Sequence, residues 1–328
     1  MAELLSLVVP CYNEENTLPG FFAAVGAVAE RMRDVADVTF EFLFVDDGST
    51  DKTLALIKSF RAEDKRVRYL SFSRNFGKES AILAGLRAAS GKYVALMDAD
   101  FQDPPELLPE MYHCLINEGY DCVAARRASR EGEPKIRSFF ARRFYRLMSR
   151  LSRVELVDGA RDFRMMTRKV VDAVLSMPET SRFSKGLFAW VGFKTKWLPY
   201  EYISREGGRT KWSFFQLLSY SLSGIFAFSQ VPLAFASVLG VVFFLISVVM
   251  IIFIVIRRLI FGDPVSGWAS TVCIVMFIGS IQFLCIGIMG GYVSRIYLEV
   301  KNRPAYFIRE DEDDDEDDDE DGGCDRGK

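Results

Sequence analysis

The sequence predicts a cytosolic α/β domain followed by two membrane-spanning helices. Apolar strand-like runs and periodic helix-like runs alternate four times before residue 97, which is the pattern of a parallel sheet covered by helices. Two later stretches, residues 231–256 and 265–294, contain no Asp, Glu, Lys, Arg or His. Each exceeds the ~20 residues that cross a bilayer, and their close succession favours a membrane hairpin over the buried helices of a soluble protein.

The elements of the α/β domain follow from local patterns of apolar residues. The predicted strands are Leu4–Pro10, Phe40–Val45, Val67–Phe72, Tyr93–Met97 and Tyr120–Ala124. The predicted helices are Leu18–Met32, Lys52–Ala62, a helix that ends at Ala89, and Glu106–Asn117. Beyond them, Asp158–Arg164 is predicted to be a turn with clustered charge. The predicted divisions of the chain are the catalytic domain 1–205, a juxtamembrane segment 206–230, a hairpin 231–308 and a tail 309–328.

Polar residues follow each of the first four predicted strands. They are Tyr12, Asn13 and Glu14, then Asp46 and Asp47, then Asn75 and Lys78, and finally Asp98 and Asp100. Because open α/β sheets bind ligands outside the carboxyl ends of their strands, this recurrence predicts a binding site at that edge. The sequence contains no G-x-G-x-x-G or Walker A run, which excludes a standard dinucleotide or P-loop site.

Two carboxylates, Asp98 and Asp100, lie one residue apart at the end of the fourth predicted strand. In an extended segment, residues i and i+2 point to the same side, so the two charges repel unless a cation lies between them. Oxygen ligands with open positions suit Mg²⁺ or Mn²⁺, and Gln102 adds a neutral oxygen. The alternative is an Asp-rich turn that caps the following helix, and the spacing alone favours neither.

Charge is unevenly distributed along the chain. Of the 44 acidic residues, twelve form an unbroken run from Glu310 to Asp321, which leaves 32 acidic residues against 41 basic ones in the rest of the chain. A basic body suits anionic lipids and phosphate ligands. Residues 309–328 are predicted to form a disordered, solvated acidic tail.

Basic residues also predict the orientation in the membrane. Those outside the hairpin are Arg205, Arg209, Lys211, Arg295, Lys301, Arg303 and Arg309, whereas only Arg257 and Arg258 lie in its loop. The positive-inside rule therefore places both termini in the cytoplasm, in agreement with an N-terminus that does not read as a signal peptide. Six cysteines without a C-x-x-C pair fit a reducing compartment.

Two further segments are predicted to lie at the membrane interface. Residues 134–152 form a basic amphipathic helix with aromatic residues, which favours an anionic membrane surface over packing on the domain. Residues 206–230 combine a Gly-containing basic loop with an interfacial helix from Trp212 to Ser229. Arg205, directly before this segment, and Lys211 within it are predicted to bind either a ligand phosphate or lipid headgroups.

A cytosolic metal and diphosphate site tied to a bilayer favours one reaction, the transfer of a nucleotide-activated group to a lipid-borne acceptor. The metal would neutralise the charge that develops on the leaving diphosphate. An acceptor phosphate, with a second pKa of about 6, is largely ionised near neutral pH. Arg and Lys residues that hold this anion in line then matter more than a strong general base.

Several motifs resemble those of family 2 glycosyltransferases of the GT-A fold. These are Val9–Glu15, Val45–Ser49, Asn75–Glu79 and Asp98–Pro105. Four others look like those of polyprenyl-phosphate glycosyltransferases, a group that includes dolichyl-phosphate mannose synthases: Arg126–Arg127, Asp162–Met166, Phe183–Gly192 and Thr210–Trp212. The two C-terminal spans favour the bactoprenol glucosyltransferase (GtrB) type. The resemblance implies a Rossmann-like mixed sheet with flanking helices, followed by a two-helix transmembrane hairpin.

The resemblance also implies roles for individual residues. Nucleotide-sugar-binding residues would be Pro10, Tyr12, Asn13, Glu14, Asp46, Asp47, Lys78 and Asp98. Metal ligands would be Asp98, Asp100 and Gln102, and phosphate-binding residues would be Arg126, Arg127, Arg205 and Lys211. Asp162 and Asp100 would be catalytic, with Asp162 acting either as a base or as an orienting group. Arg161 departs from the bactoprenol type, which has a smaller uncharged residue there.

The function implied by this resemblance is inverting transfer of a hexose, most simply glucose, from a UDP-sugar to undecaprenyl phosphate. The same chemistry with GDP-mannose, UDP-GlcNAc or an aminoarabinose donor remains an alternative, and a non-catalytic membrane scaffold is a remote one. The expected partners are a nucleotide sugar, polyprenyl phosphate and the bilayer, and not nucleic acid. A homo-oligomer and a flippase partner are left open.

Overall fold

Among the residues that the structure describes, eight strands form one sheet. The computed structural model describes residues 3–127, 157, 159–179, 182–200, 231–261 and 267–312. The strands are β1 (Glu3–Cys11), β2 (Val38–Asp46), β3 (Val67–Phe72), β4 (Tyr93–Leu96), β5 (Cys122–Arg127), β6 (Ala160–Thr167), β7 (Thr195–Tyr200) and β8 (Ile308–Asp311). The helices are α1 (Leu18–Ala36), α2 (Thr53–Glu63), α3 (Lys78–Ala88), α4 (Leu108–Asn117) after a 3₁₀ turn (Pro105–Leu107), α5 (Arg168–Leu175), α6 (Ser184–Trp190), α7 (Val231–Phe261) and α8 (Trp268–Lys301).

The sheet is mixed, as predicted. Its strand order is β7-β5-β6-β4-β1-β2-β3-β8. The first four strands run parallel to one another in the order β4-β1-β2-β3, whereas β6 is antiparallel to both β4 and β5 and β8 is antiparallel to β3. The carboxyl ends of β1 to β4 therefore meet at one edge, where α/β sheets bind ligands.

Both faces of the sheet are covered by hydrophobic clusters. Alternate residues of a strand point to opposite faces, so successive residues pack into different clusters. In β1, Leu7 and Val9 belong to the cluster that includes Phe21 of α1. Val8 lies in the opposite cluster with Ile82 of α3. A Cβ at Gly85 in α3 would lie 2.2 Å from a methyl carbon of Val8, so only glycine permits this close approach of helix to strand.

The charged turn predicted at Asp158–Arg164 is wrong, because strand β6 begins at Ala160. Both faces of β6 are buried: Phe163 and Met165 pack in one cluster and Met166 in the other. A strand buried on both faces lacks the alternation of polar and apolar residues that reveals strands in a sequence. The charges of its first residues concealed it further.

The acidic tail predicted to begin at residue 309 is also partly wrong. Strand β8 pairs with β3 along the edge of the sheet, with Ser71 opposite Glu310. Glu310 forms an ion pair with Lys58 at 2.8 Å. The buried Glu312 carboxylate accepts hydrogen bonds from Arg68 Nε at 2.6 Å and from the Tyr69 N–H at 3.2 Å. Basic partners on the domain thus hold the start of the acidic run, while residues 313–328 lie outside the described part of the chain.

The segment before β8 belongs to the sheet unit rather than to the predicted hairpin 231–308. Residues from Arg303 onward cluster with the α/β unit. The ring of Tyr306 stacks on Phe72 with centroids 4.9 Å apart, and the Ser80 hydroxyl donates to the Ala305 carbonyl at 3.0 Å. The hairpin unit therefore ends near residue 302.

Arg68 links β8 to a buried carboxylate in the middle of the sheet. Its guanidinium binds Glu41 at 2.6 Å and Glu312 at 2.6 Å. Glu41 is 6% exposed and also accepts hydrogen bonds from the hydroxyls of Ser6 and Ser90. Burial raises the pKa of Glu41, but the hydrogen bonds from Ser6, Ser90 and Arg68 outweigh it, so its pKa lies below the ordinary value of 4.5.

We expect Glu41→Gln to remove an acid-sensitive part of the stability. Because the pKa of Glu41 is lowered by folding, its contribution is present above pH 4.5 and is lost as the pH falls through the folded-state pKa. Removing the charge should cost about 1–3 kcal/mol at neutral pH. The apparent Tm of the full chain in detergent, measured from pH 7 downward, should fall less steeply in the variant. The exposed Glu63→Gln should behave like the wild type, and parallel pH curves for all three proteins would contradict this account.

In the part of the second unit that the structure describes, there are two long helices, α7 and α8. The rings of Phe243 and Phe277 lie 5.8 Å apart, and Cys285 Sγ lies 3.7 Å from the Ala236 carbonyl oxygen. These two contacts fit an antiparallel helix pair. In the described residues one stretch of 25 residues, Phe277–Lys301, is long and apolar enough to cross a membrane by length and composition, because it contains an 18-residue window with a mean hydropathy of 1.6. The predicted interfacial segments 134–152 and 206–230 lie outside the described residues.

Candidate active site

The loops after β1 and β2 are joined by hydrogen bonds that leave an aromatic ring exposed. Asn13 has a positive φ of 54°, its N–H donates to Ser49 Oγ at 3.0 Å and its side chain accepts from the Thr50 N–H at 2.9 Å. The Glu14 N–H donates to Thr53 Oγ1 at 2.9 Å. Between these bonds Tyr12 remains 43% exposed. Pro10 lies within β1, opposite Val45.

Asp46 and Asp47 are almost fully buried and hold neighbouring loops together. Asp46 accepts hydrogen bonds from the Ser49 N–H at 3.0 Å and the Ser71 hydroxyl at 2.8 Å. Asp47 accepts from the backbone N–H groups of Phe76 at 2.7 Å and Gly77 at 2.9 Å. Burial, the largest influence, raises the pKa of Asp47 despite these bonds. Both carboxylates thus fix the loops that lead to Lys78.

Lys78 connects two carboxylates that are far apart in the sequence. Its Nζ lies 2.7 Å from Asp98 Oδ2 and 2.5 Å from Asp162 Oδ2. The three side chains come from the first turn of α3, the loop after β4 and the start of β6. The pairing of Leu96 with Arg164 explains the contact, because continuing that antiparallel register by two residues places Asp98 opposite Asp162. The sequence prediction named all three residues but not this triad.

The charges within the triad shift the pKa values in opposite directions. Burial raises the pKa of Asp98, and repulsion from Asp162 and Asp100 adds to this effect against the attraction of Lys78. Burial also acts to raise the pKa of Asp162, but the ammonium groups of Lys78 and Lys185 hold it well below its usual range. Burial acts to lower the pKa of Lys78, yet its two carboxylate partners raise it. Asp162 is therefore the carboxylate whose ionised form is most strongly stabilised.

Lys185 is a site residue that the sequence reasoning missed. Its Nζ lies 3.9 Å from Asp162 Oδ1, so Asp162 faces a different ammonium group at each oxygen. The only signal in the sequence was the motif Phe183–Gly192, which was recognised without a role for its lysine. Arg164, in the motif Asp162–Met166, likewise has no predicted role; its guanidinium lies 4.0 Å from the ring centroid of Phe188 in α6.

Arg161 belongs to a second network, behind the loop that carries the two aspartates. Arg161 donates from Nε to Asp103 Oδ1 at 3.1 Å and from Nη2 to Gln102 Oε1 at 3.0 Å. Arg127 donates to the same Gln102 oxygen at 3.4 Å. Asp103 is fully buried and also accepts a hydrogen bond from the Tyr200 hydroxyl. This network fixes the loop after Asp100 against β5, β6 and β7.

The carboxylates of Asp98, Asp100 and Asp162 supply the hard oxygen donors that Mg²⁺ and Mn²⁺ prefer, and the charges of Asp100 and Asp162 both act on Asp98. Gln102 does not serve as a metal ligand in this arrangement. The Gln102 oxygen instead accepts from two guanidinium groups. Phe101, between the aspartates and Gln102, has a positive φ of 55°, which turns the chain. The alternative of a helix cap is not supported, because neither the 3₁₀ turn nor α4 has a side-chain cap.

The predicted phosphate-binding residues differ in what the structure says of them. Arg126 and Arg127 end β5; Arg126 is exposed, while Arg127 contacts Gln102. Arg205 and Lys211 lie outside the described residues. Of the predicted site residues, the structure brings together Lys78, Asp98 and Asp162. The predicted basic loop is not among the described residues.

Comparison with known proteins assigns the family. The family described as "Glycosyl transferase family 2" matches residues 6–175. The "Uncharacterized glycosyltransferase sll0501" of Synechocystis sp. is 39% identical over 306 residues, which cover 93% of this chain and 95% of that protein. The "Bactoprenol glucosyl transferase" of Shigella phage SfII is 37% identical over 306 residues, covering 93% of this chain and 97% of that protein.

Among solved structures, mannosyl-3-phosphoglycerate synthase from Rubrobacter xylanophilus aligns with a TM-score of 0.46 at 20% identity, over 68% of this chain and 72% of that chain. The assignment rests on the family match and on the relatives, which are similar along nearly the whole chain. The predicted family and enzyme class are thus confirmed, and the chain belongs to glycosyl transferase family 2.

Proposed function

We propose that this glycosyltransferase is an inverting, metal-dependent enzyme that moves a hexose from a nucleotide sugar to polyprenyl phosphate. The observation that carries the proposal is the triad of Lys78, Asp98 and Asp162 beside Asp100, at the edge where parallel strands end. The name of the Shigella phage relative, which matches 93% of this chain, supports bactoprenol phosphate as the acceptor and glucose as the hexose.

Each part of the site has a distinct task in the proposed reaction. Asp98 and Asp100 would hold Mg²⁺ or Mn²⁺, which supplies positive charge for the leaving diphosphate. The exposed ring of Tyr12 offers a surface on which the base of the donor stacks. Asp46 and Asp47 keep the surrounding loops in place through backbone hydrogen bonds. The donor is thereby oriented along the rim of the sheet, with its sugar near Asp162.

Asp162 is proposed to orient the reaction rather than to act as a base. Its Oδ2 lies 2.5 Å from Lys78 and its Oδ1 lies 3.9 Å from Lys185, so both oxygens face ammonium groups. A phosphate acceptor with a second pKa of about 6 is already largely ionised near neutral pH, and its attack needs no proton removed. Asp162 therefore serves to hold the two lysines in place.

The bilayer location belongs to the same proposal. The uncharged stretches 231–256 and 265–294 support two membrane spans in α7 and α8, and the basic residues outside them support a cytoplasmic position of both termini. The acceptor lipid would then be reached at the cytoplasmic face of the inner membrane. UDP-glucose is the proposed donor, and other nucleotide sugars would use the same chemistry.

We expect metal removal to stop the reaction reversibly. Purified protein in membranes containing undecaprenyl phosphate is given a panel of labelled donors: UDP-glucose, GDP-mannose, UDP-GlcNAc and an aminoarabinose donor. Label should enter the lipid phase from UDP-glucose, EDTA should abolish this transfer, and added Mn²⁺ or Mg²⁺ should restore it. Full transfer in EDTA would overturn the metal role. Absence of lipid-phase label with every donor would overturn the proposed function, and label from another single donor would reassign the sugar.

A further inference from the structure

Lys185 lies beside the triad of Lys78, Asp98 and Asp162 and has N–H donors available for further hydrogen bonds. Its Nζ donates to the Ala160 carbonyl oxygen at 3.2 Å and lies 3.9 Å from Asp162 Oδ1, which is too far for a hydrogen bond. An ammonium group has three donors, and among the described residues no other acceptor takes a hydrogen bond from this one. Its side chain is 26% exposed, so a ligand can reach it.

A second pair of contacts fixes the backbone beside this lysine. Glu79, the residue after Lys78, accepts hydrogen bonds from both the backbone N–H of Ser184 at 2.9 Å and its hydroxyl. Ser184 directly precedes Lys185 and is 4% exposed. The first turns of α3 and α6 are therefore tied together, with Lys78 and Lys185 on the two oxygens of the same carboxylate. Such a supported side chain is preorganised for binding.

The two lysines differ in what they can still bind. Lys78 makes short bonds to Asp98 and Asp162, and Asp98 belongs to the proposed metal and diphosphate side of the site. Lys185 donates to the Ala160 carbonyl oxygen and approaches the other oxygen of Asp162 at 3.9 Å. In an inverting displacement the nucleophile and the leaving group lie on opposite sides of the reacting carbon. A doubly charged phosphate that approaches this carboxylate cluster needs a cation of its own.

We propose that Lys185 binds the phosphate of the polyprenyl phosphate acceptor and places its oxygen for attack. This inference rests on the proposed function and adds a residue to it. The competing explanation is that Lys185 only balances the charge of Asp162. The two explanations differ in which substrate is affected, because loss of charge balance at Asp162 alters the whole cluster, whereas loss of an acceptor contact affects the acceptor alone.

The test is steady-state kinetics of Lys185→Met with UDP-glucose and undecaprenyl phosphate. The apparent KM for undecaprenyl phosphate should rise about tenfold or more, because losing a hydrogen bond to a charged group weakens binding by about tenfold or more. The KM for UDP-glucose should stay within about twofold. Lys185→Gln serves the same purpose if the methionine variant does not fold, and Lys169→Met, an exposed lysine on α5, is the matched control that should leave both KM values unchanged.

A binding measurement without turnover completes the test. Farnesyl phosphate should raise the apparent Tm of the wild type and not that of Lys185→Met, while uncharged farnesol should affect the two proteins equally. An unchanged acceptor KM, equal rises in both KM values, or equal protection of the two proteins by farnesyl phosphate would overturn the role of Lys185. A wild type that never transfers sugar to undecaprenyl phosphate would instead refute the proposed function itself.

Discussion

Asp100→Asn is expected to lower the rate of hexose transfer by about 10²–10³-fold, the usual loss when one charge-stabilising group is removed from an active site. Asp100 shares the proposed cation with Asp98, and no neutral amide replaces a charged ligand of Mg²⁺ or Mn²⁺ equally well. The measurement is kcat/KM for the nucleotide sugar with saturating undecaprenyl phosphate. Weaker activation by Mn²⁺ should accompany the loss.

The fold should survive this change, because asparagine can keep a hydrogen bond that shapes the turn. Asp100 Oδ1 accepts the Gln102 N–H at 3.1 Å, and an amide oxygen does the same. The matched control is Asp172→Asn, an exposed carboxylate on α5, which should transfer at the wild-type rate. Full activity of the Asp100→Asn protein would contradict the proposal that the metal and the diphosphate bind at this edge of the sheet.

Lys78→Met is expected to lower transfer by about 10²-fold for a different reason. The substitution leaves Asp98 and Asp162 facing each other without the ammonium group that both contact, at 2.7 and 2.5 Å. Their repulsion then disfavours the ionised pair, and neither carboxylate keeps its position. Transfer rates of the variant, with circular dichroism to confirm folding, measure the effect.

A double-mutant cycle tests whether Lys78 and Asp162 act as a unit. If they do, Lys78→Met/Asp162→Asn should be little slower than the slower of the two single variants, because residues that act together are not additive. Multiplication of the two single effects would show that the lysine and the carboxylate work independently. In that case Asp162 would not serve to hold Lys78.

The parallel half of the fold could be predicted because its signals are local. Strands β1 to β4 are apolar runs followed by polar loops, and the two aspartates after β4 stand in the same short motif. Since parallel strands share one edge, the convergence of Asp47, Lys78 and Asp98 follows from topology alone. The sequence therefore contained enough information for this part of the site.

The rest depends on pairings between distant residues. Strand β6 carries Asp162 to Lys78, but its buried faces and charged start gave no periodic signal. Strand β8 pairs with β3 because Lys58 and Arg68 hold Glu310 and Glu312, and nothing local in an acidic run indicates that. The motif predicts Gln102 as a metal ligand, but Arg161, distant in the sequence, donates a hydrogen bond to its oxygen. Such contacts are tertiary and have no local pattern.

The measurement that tests the central claim most directly is mass spectrometry and NMR of the lipid extracted after reaction. Wild-type protein given UDP-glucose, Mn²⁺ and undecaprenyl phosphate should yield a lipid heavier by one hexosyl unit. Its anomeric configuration should be opposite to that of the donor, and Asp100→Asn should leave the lipid unchanged. Release of free hexose with an unaltered lipid, or a product that retains the donor's configuration, would contradict the account.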